Sequence, residues 1–314
     1  MKKIVLLILL NSFLLSDIFN VPTEEYPTIQ SGIDVAQDGD TVLVAQGLYY
    51  ENLIITRSIT LASHAIYDDL FSWNAYNEIF WQWEVTNENI NNTIIDGGTA
   101  TDDFGSAILI YAEADECITP EIVGFTIQNG TGTIVCRDGL DCEEEPHILG
   151  GGILSDISNP TIHYNKFVNN GSNAIENGGA VYLTSNDEDW DFDNIPTNYF
   201  DLQDYNRETC NINEFNLSRN FYNGNDALYG NSFANKGFED TFDMSESIFD
   251  VANCSIEEVS PVWVYVESEA EVEFEDIESN LCAFTSGTIY VDSNIDQECI
   301  EDGCGTSNNP FKTI

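Results

Sequence analysis

Carboxylates dominate the chemistry available to this chain, and their spacing limits what they can do. Asp187, Asp189, Asp191 and Asp193 stand at alternate positions in Asp187-Glu188-Asp189-Trp190-Asp191-Phe192-Asp193, as the first ligands of a calcium-binding EF-hand loop would. That loop also needs Gly at its sixth position and Glu at its twelfth, where Phe192 and Asn198 stand, so the reading left is a looser surface calcium site or a plain acidic loop. Asp96-Gly97-Gly98 is the nearest approach to a catalytic carboxylate beside glycine, but Asp-Gly in a strand-rich chain more often makes a turn. Glycoside hydrolysis needs two carboxylates roughly 5 to 9 Å apart across a cleft, and no paired Asp motif marks such a cleft. Nucleophile elbows, phosphate loops and dinucleotide fingerprints are absent; Gly150-Gly151-Gly152 opens a strand and leads into no helix. No residue is assigned a catalytic, cofactor-binding or metal-binding role.

The charge balance narrows the partners. Nine Lys and Arg against 55 Asp and Glu give a net charge of −46, which repels phosphate backbones and anionic lipid and attracts counter-cations, calcium among them. Met1-Lys2-Lys3 followed by the apolar run Ile4 to Leu15 reads as a secretory signal peptide over 1–16, too short to span a bilayer comfortably. Cys117, Cys136, Cys142, Cys210, Cys254, Cys282, Cys299 and Cys304 agree with export to an oxidising compartment. Cys136–Cys142 and Cys299–Cys304 are expected as local bridges stapling acidic loops. Zinc is the competing use, but no C-x₂-C pattern occurs and His64, His147 and His163 are the only histidines.

The elements that position these groups announce themselves by recurrence. Thr93-Ile94-Ile95-Asp96-Gly97, Thr126-Ile127-Gln128-Asn129-Gly130 and Thr161-Ile162-His163-Tyr164-Asn165 follow at intervals of 33 and 35 residues, and Gly150-Gly151-Gly152-Ile153 precedes Gly178-Gly179-Ala180-Val181 by 28. Short β-branched runs punctuated by Asn and Gly at such spacing write a stacked solenoid, in which each unit buries its apolar face only on its neighbours. Ile29, Ile33 and Ala36 fall at helical spacing, and a short helix there, ahead of Thr41–Ala45, Leu53–Thr56 and Ser58–Leu61, reads as a cap. Asn165, Asn169 and Asn170 are expected to satisfy backbone groups between coils, and His163 to serve the stack as well. His147, after Glu143, Glu144, Glu145 and Pro146, reads as a surface-loop histidine.

Residues 64–92 interrupt the strands with Phe71, Trp73, Tyr76, Phe80, Trp81 and Trp83. The segment reads as a loop packing its own aromatics against the stack, with a sugar-stacking platform as the alternative. From Asn186 to Ser247 the strand signal weakens, and Asn220–Asn225 reads as irregular. Val262–Val266 then runs into Glu267, Glu269, Glu271, Glu273 and Glu275, whose alternation predicts a half-buried strand with one wet face.

Thr28-Ile29-Gln30, Gly39-Asp40-Thr41-Val42-Leu43-Val44, Gly47-Leu48-Tyr49-Tyr50-Glu51-Asn52 and Ile59-Thr60-Leu61 resemble the first coil of secreted proteins of the pectin-lyase-like superfamily. Asn92–Gly97, Gly124–Gly130 and Gly150–Ile153 continue the pattern. The Gly-Gly openers with Phe167-Val168-Asn169-Asn170 also resemble the repeats of chlamydial polymorphic membrane proteins. The resemblance covers about residues 26–235 and implies an all-β chain: a right-handed parallel β-helix over 20–250, closed by a short N-terminal capping helix. An acidic strand region over 251–284 follows. Tyr290–Asn294 and Gly305–Ile314, with Phe311-Lys312-Thr313-Ile314 echoing Tyr26-Pro27-Thr28-Ile29, are expected to be the truncated start of a second such domain over 285–314.

That superfamily hosts polysaccharide lyases, hydrolases and many non-enzymes, so the site has to decide. A polyuronate lyase needs a strong base with calcium-binding carboxylates. Its candidates are Arg57, Arg137, Lys166, Arg207, Arg219 and Lys236, none in an Asp-rich motif. The expectation is a secreted or cell-surface protein that binds glycans or surface proteins, or serves structurally, with a polysaccharide lyase or glycoside hydrolase as the alternative.

Overall fold

A computed structural model describes residues 16–98, 104–112, 117–137, 147–172, 174–184, 190–191, 214–253, 263–266 and 270–283. These residues form mostly parallel β-sheet. The first sheet holds Ile18–Val21, Thr41–Val44, Thr60–Ser63, Glu121–Val123 and Thr161–His163; the second runs from Gly47–Tyr50 through Thr93–Asp96, Thr126–Gln128, Lys166–Val168, Phe221–Asn223 and Ile248–Asn253 to Glu278–Ala283. A third holds Leu53–Ile55, Ile108–Tyr111, Ile153–Asp156, Val181–Thr184, Phe233–Lys236 and Val264–Tyr265. The chain visits first, second and third sheets in turn and then returns to the first. In later turns a shorter sheet of Glu214–Asn216, Thr241–Asp243 and Glu271–Glu273 takes the first place. Such cyclic parallel pairing is compatible with a β-helix.

Short strands are stable here because parallel register stacks like side chains on like. Ile95, Ile127, Phe167 and Tyr222 are partners in adjacent strands of the second sheet and are buried. The Phe167 and Tyr222 rings stack at 5.4 Å, and Tyr222 and Phe249 at 5.2 Å. The third sheet is buried on both faces, since Val135 and Leu149, from the antiparallel hairpin Thr133–Arg137 and His147–Leu149, cover Leu109, Leu154 and Tyr182. A strand buried on both sides has no polar face, which is why Ile108-Leu109-Ile110-Tyr111 is continuously apolar. Gly151 stands where neighbouring coils approach closely: a Cβ there would lie 2.4 Å from the Gly179 carbonyl oxygen and 2.5 Å from the Gly171 nitrogen.

The corners between strands are built from a left-handed residue followed by a buried polar one. Tyr164, Arg219 and Glu246, at φ of 54°, 58° and 54°, precede Asn165, Asn220 and Ser247. Asn165 Oδ1 accepts from the Phe125 amide at 3.0 Å, Asn220 Oδ1 from the Asn165 amide at 2.9 Å, and Ser247 Oγ from the Asn220 amide at 3.1 Å. Asn165 Nδ2 donates to the carbonyls of Ile122 and His163, and Asn220 Nδ2 to those of Ile162 and Leu217. A second ladder runs along the next corner, where Gly130 donates to Asn170 Oδ1 and the Asn170 amide to Asn225 Oδ1.

Helix α1 (Ile29–Val35) forms as its spacing predicts and sends Ile29 and Ile33, with Ala36 just beyond it, into the core. Thr28 and Ser31 make a capping box. Glu51 accepts from the amides of Ile29 and Gln30 at 3.0 and 3.1 Å, while Arg57 donates to the carbonyls of Asp34 and Ala36 at 3.3 and 3.0 Å. Each charge thus meets the helix end of opposite partial charge.

Several expectations shift in register. The Gly openers align as read, Ile153 pairing with Val181. The Thr-Ile repeat does not: Thr126 pairs with Ile94, and Thr161 lies in the first sheet opposite Glu121. The true recurrence is the corner plus its strand, beginning at Gly124, Tyr164 and Arg219. Ile18–Val21 and Gly47–Tyr50 are strands that the sequence reading did not assign. Within 186–247, read as weakening, Glu214–Asn216, Phe221–Asn223, Phe233–Lys236 and Thr241–Asp243 continue the stack, because inward Phe and Tyr replace the β-branched residues. The glutamate alternation does not make one strand: Val264–Tyr265 and Glu271–Glu273 belong to different sheets.

Residues 1–15 and 284–314, where the signal peptide and the start of a second domain are expected, lie outside the described residues, as do Cys142, Cys210 and Cys254 and the side chains of Cys136 and Cys282. Cys117 is disulfide-bonded, and no described cysteine is free; the expected Cys136–Cys142 and Cys299–Cys304 bridges fall outside the description. No helix among the described residues is long and apolar enough to cross a membrane.

Asn165→Ala strands the Phe125 amide and the Ile122 and His163 carbonyls, and a buried polar group left unpaired costs about 1–3 kcal/mol. Urea denaturation is expected to show a loss of about 3 kcal/mol or more; a loss below about 1 kcal/mol would contradict a ladder that holds the coils.

Candidate functional site

The described bases among those proposed from sequence are each engaged in their own local contacts. Arg57 is spent on the end of α1. Arg219 pairs with Glu246 and lies over the Tyr164 ring, its guanidinium carbon 5.7 Å from the ring centre. Lys166, on the second sheet, donates to Asn91 Oδ1 at 2.9 Å and sits 6.0 Å from the Phe221 ring centre. Lys236, on the third sheet, is also engaged. Arg207 and the Arg137 side chain lie outside the described residues, as do the side chains of Asp187, Asp189, Asp191 and Asp193.

The carboxylates are similarly committed. Asp96 Oδ2 accepts from Gln128 Nε2 and Asn129 Nδ2 at 2.7 and 2.8 Å, and Oδ1 from the Gly98 amide at 3.0 Å. It clamps a turn. Asp156 is fully buried in the third sheet, in register with Tyr111 and Thr184, and burial holds its carboxyl well above the ordinary range. Glu121 Oε1 meets His163 Nε2 at 2.9 Å while Thr60 Oγ1 donates to Oε2 at 3.2 Å. The His163 hydrogen bond leads the causes that hold Glu121 below the usual glutamate range. His147 is on a strand rather than a loop, its Nδ1 2.9 Å from both Glu176 carboxylate oxygens. Among the described residues no three His, Cys, Asp or Glu side chains gather as a metal cage.

What the surface does offer is aromatic. The 64–92 insertion lies against the outer face of the second sheet, where Trp73, Val85 and Ile90 pack with Phe221 and Ile248. Trp73 meets Tyr164 edge-to-face at 5.9 Å, so this part packs its own aromatics as read. From that base rises an antiparallel hairpin, Asn74–Asn77 with Gln82–Val85. Its tip turns the other way: Ile79, Phe80 and Trp81 are 80%, 67% and 73% exposed, and Phe71 nearby is 97% exposed.

Local bonding fixes that display. Asn77 Oδ1 accepts from the amides of Ile79 and Phe80 at 3.0 and 3.3 Å, and the Asn77 carbonyl from the Trp81 amide at 2.8 Å. Asn77 Nδ2 in turn donates to Glu84 Oε2, and Gln82 Nε2 to Glu84 Oε1. Trp81 is held at φ 57°, a left-handed conformation that costs a non-glycine residue about 1–2 kcal/mol. Three consecutive large apolar side chains on this hydrogen-bonded turn thus form an exposed apolar patch. The aromatics were visible in the sequence, but the Asx turn at Asn77 that separates buried from displayed rings was not read.

No protein-family model matches this chain, and comparison with curated proteins and with solved structures finds no match. The parallel topology is compatible with a β-helix or solenoid.

Glu121 carries the site's clearest pH signature. A carboxyl lowered in the folded state lends stability that is complete above its unfolded pKa and vanishes as pH falls through the folded one. Glu121→Gln is therefore expected to flatten the loss of stability just below pH 4.5, read as thermal midpoints against pH. An acid limb identical to wild type would contradict the pairing.

Proposed function

We propose that this chain is an exported right-handed parallel β-helix, closed at one end by α1, that acts as a rigid binding scaffold and presents the Ile79-Phe80-Trp81 tip to neutral glycans at a cell surface or in the extracellular medium. The single observation that carries the reading is the exposed, hydrogen-bonded tip. The cyclic parallel pairing supports the fold, and the buried Ile29 and Ile33 of α1 support its capping role. The Lys-Lys start and following apolar run support export.

Glycan binding fits the tip's chemistry. Aromatic faces stack on the apolar faces of sugars, and a polar rim bonds the hydroxyls. Gln82 and Glu84 lie next to the tip on the same hairpin and supply such a rim. A chain of net charge −46 disfavours anionic polymers, so an uncharged polysaccharide is the partner of choice. Arg57, Lys166 and Arg219 each hold a structural partner, which favours binding over the lyase or hydrolase alternative.

Binding isotherms with a panel of neutral and uronate polysaccharides test this. Wild type is expected to retain at least one neutral polymer, and Trp81→Ala or Phe80→Ala to weaken that binding about tenfold, the effect of roughly 1.4 kcal/mol, with an unchanged thermal midpoint. Equal binding by the variants, retention of uronates alone, or depolymerisation of any polymer would overturn the reading.

A further inference from the structure

Lys166 and Asn91 are 75 residues apart in sequence and meet side chain to side chain, Nζ to Oδ1 at 2.9 Å. Both are half-buried. Lys166 leaves the outer face of strand Lys166–Val168, and Asn91 belongs to the helix Glu88–Asn92, α2, at the end of the insertion. The carboxamide is fixed from its other side, since Asn91 Nδ2 donates to the Val85 carbonyl at 2.7 Å. Its oxygen is thereby turned toward the amine. The Phe221 ring lies beside Lys166, within the apolar patch that also holds Ile90 and Val85.

Burial lowers the Lys166 pKa, with the Glu84 charge opposing. Glu84 itself is held ionised by Gln82 and Asn77, and the Lys166 charge adds to that. An amine whose deprotonation burial eases, held against an oriented carboxamide with a carboxylate whose field reaches it, gathers the groups that acyl transfer between side chains uses.

We propose that Lys166 and Asn91 condense into an intramolecular isopeptide bond that fastens the aromatic insertion to the strand stack. Glu84 takes a proton from the Lys166 ammonium by way of solvent, and the Nζ lone pair attacks Asn91 Cγ. The Nζ–Cγ bond forms, the proton that Nζ then sheds passes through solvent to Nδ2, the Cγ–Nδ2 bond breaks and the nitrogen leaves as ammonia, while Glu84 releases its proton back to solvent. Amine plus carboxamide give a secondary amide plus ammonia. Nothing is oxidised or reduced, and no further reactant is consumed. The link would fix the base of the hairpin that carries Trp81 against pulling forces a hydrogen bond does not resist.

Mass spectrometry of the reduced, purified chain decides the matter. After chymotryptic digestion, wild type is expected to yield one branched peptide containing both Asn91 and Lys166, lighter than its two components by one ammonia. Lys166→Arg keeps a cationic donor for Asn91 but blocks condensation, so its digest should contain the two linear peptides alone. Recovery of unlinked wild-type peptides in the yield seen for Lys166→Arg, or conversion of Asn91 to aspartate without a branched product, would overturn the proposal.

Discussion

Buried asparagine amides at the corners of the strand stack are the constraint on which the rest of the structure depends. A parallel sheet bonds one turn of chain to the next only along its strands; between strands the backbone must bend, and its amides and carbonyls there have no ladder partners. Asn165 and Asn220 meet that need by accepting from an amide of the preceding coil while donating to a carbonyl of that same coil and to one of their own. Because the preceding residue is left-handed, the bend is completed in two residues and the next strand restarts in register. Column packing of Phe167, Tyr222 and Phe249 follows from that register rather than producing it.

Once the corners repeat, variation is confined to what leaves the stack. The hairpin through Val135 and Leu149 covers the third sheet, and the 64–92 insertion covers part of the second. Both use apolar contact at their bases. The second also raises a turn whose apolar side chains face solvent. The strand stack sets the position of the inserted segment, which packs on it through Trp73, Val85 and Ile90.

The sequence disclosed the repeat architecture more readily than its phase. Asn and Gly punctuation, β-branched runs and the Gly openers were enough to read a stack, and Ile29, Ile33 and Ala36 to read the helix. The Thr-Ile copies misled because every short inward strand looks alike, and sheet membership depends on the corner preceding it. Phe221-Tyr222-Asn223 reads as irregular because aromatic residues replace β-branched ones in an Asn-rich setting, yet it is a strand of the second sheet. For the candidate site, composition showed the aromatics, but their division into buried Trp73 and displayed Trp81 depends on the Asn77 turn. The Lys166–Asn91 contact was illegible, since only the stack brings residues so distant in sequence together.

Native-state hydrogen exchange at the amides of Phe125, Asn165 and Asn220 tests the central claim most directly. Those amides lie outside any strand, so ordinary turn behaviour would exchange them quickly. The account predicts protection equal to that of Ile127 and Phe167 in the adjoining strands, lost only with global unfolding. Fast exchange at the three corners beside slow exchange in the strands would contradict it.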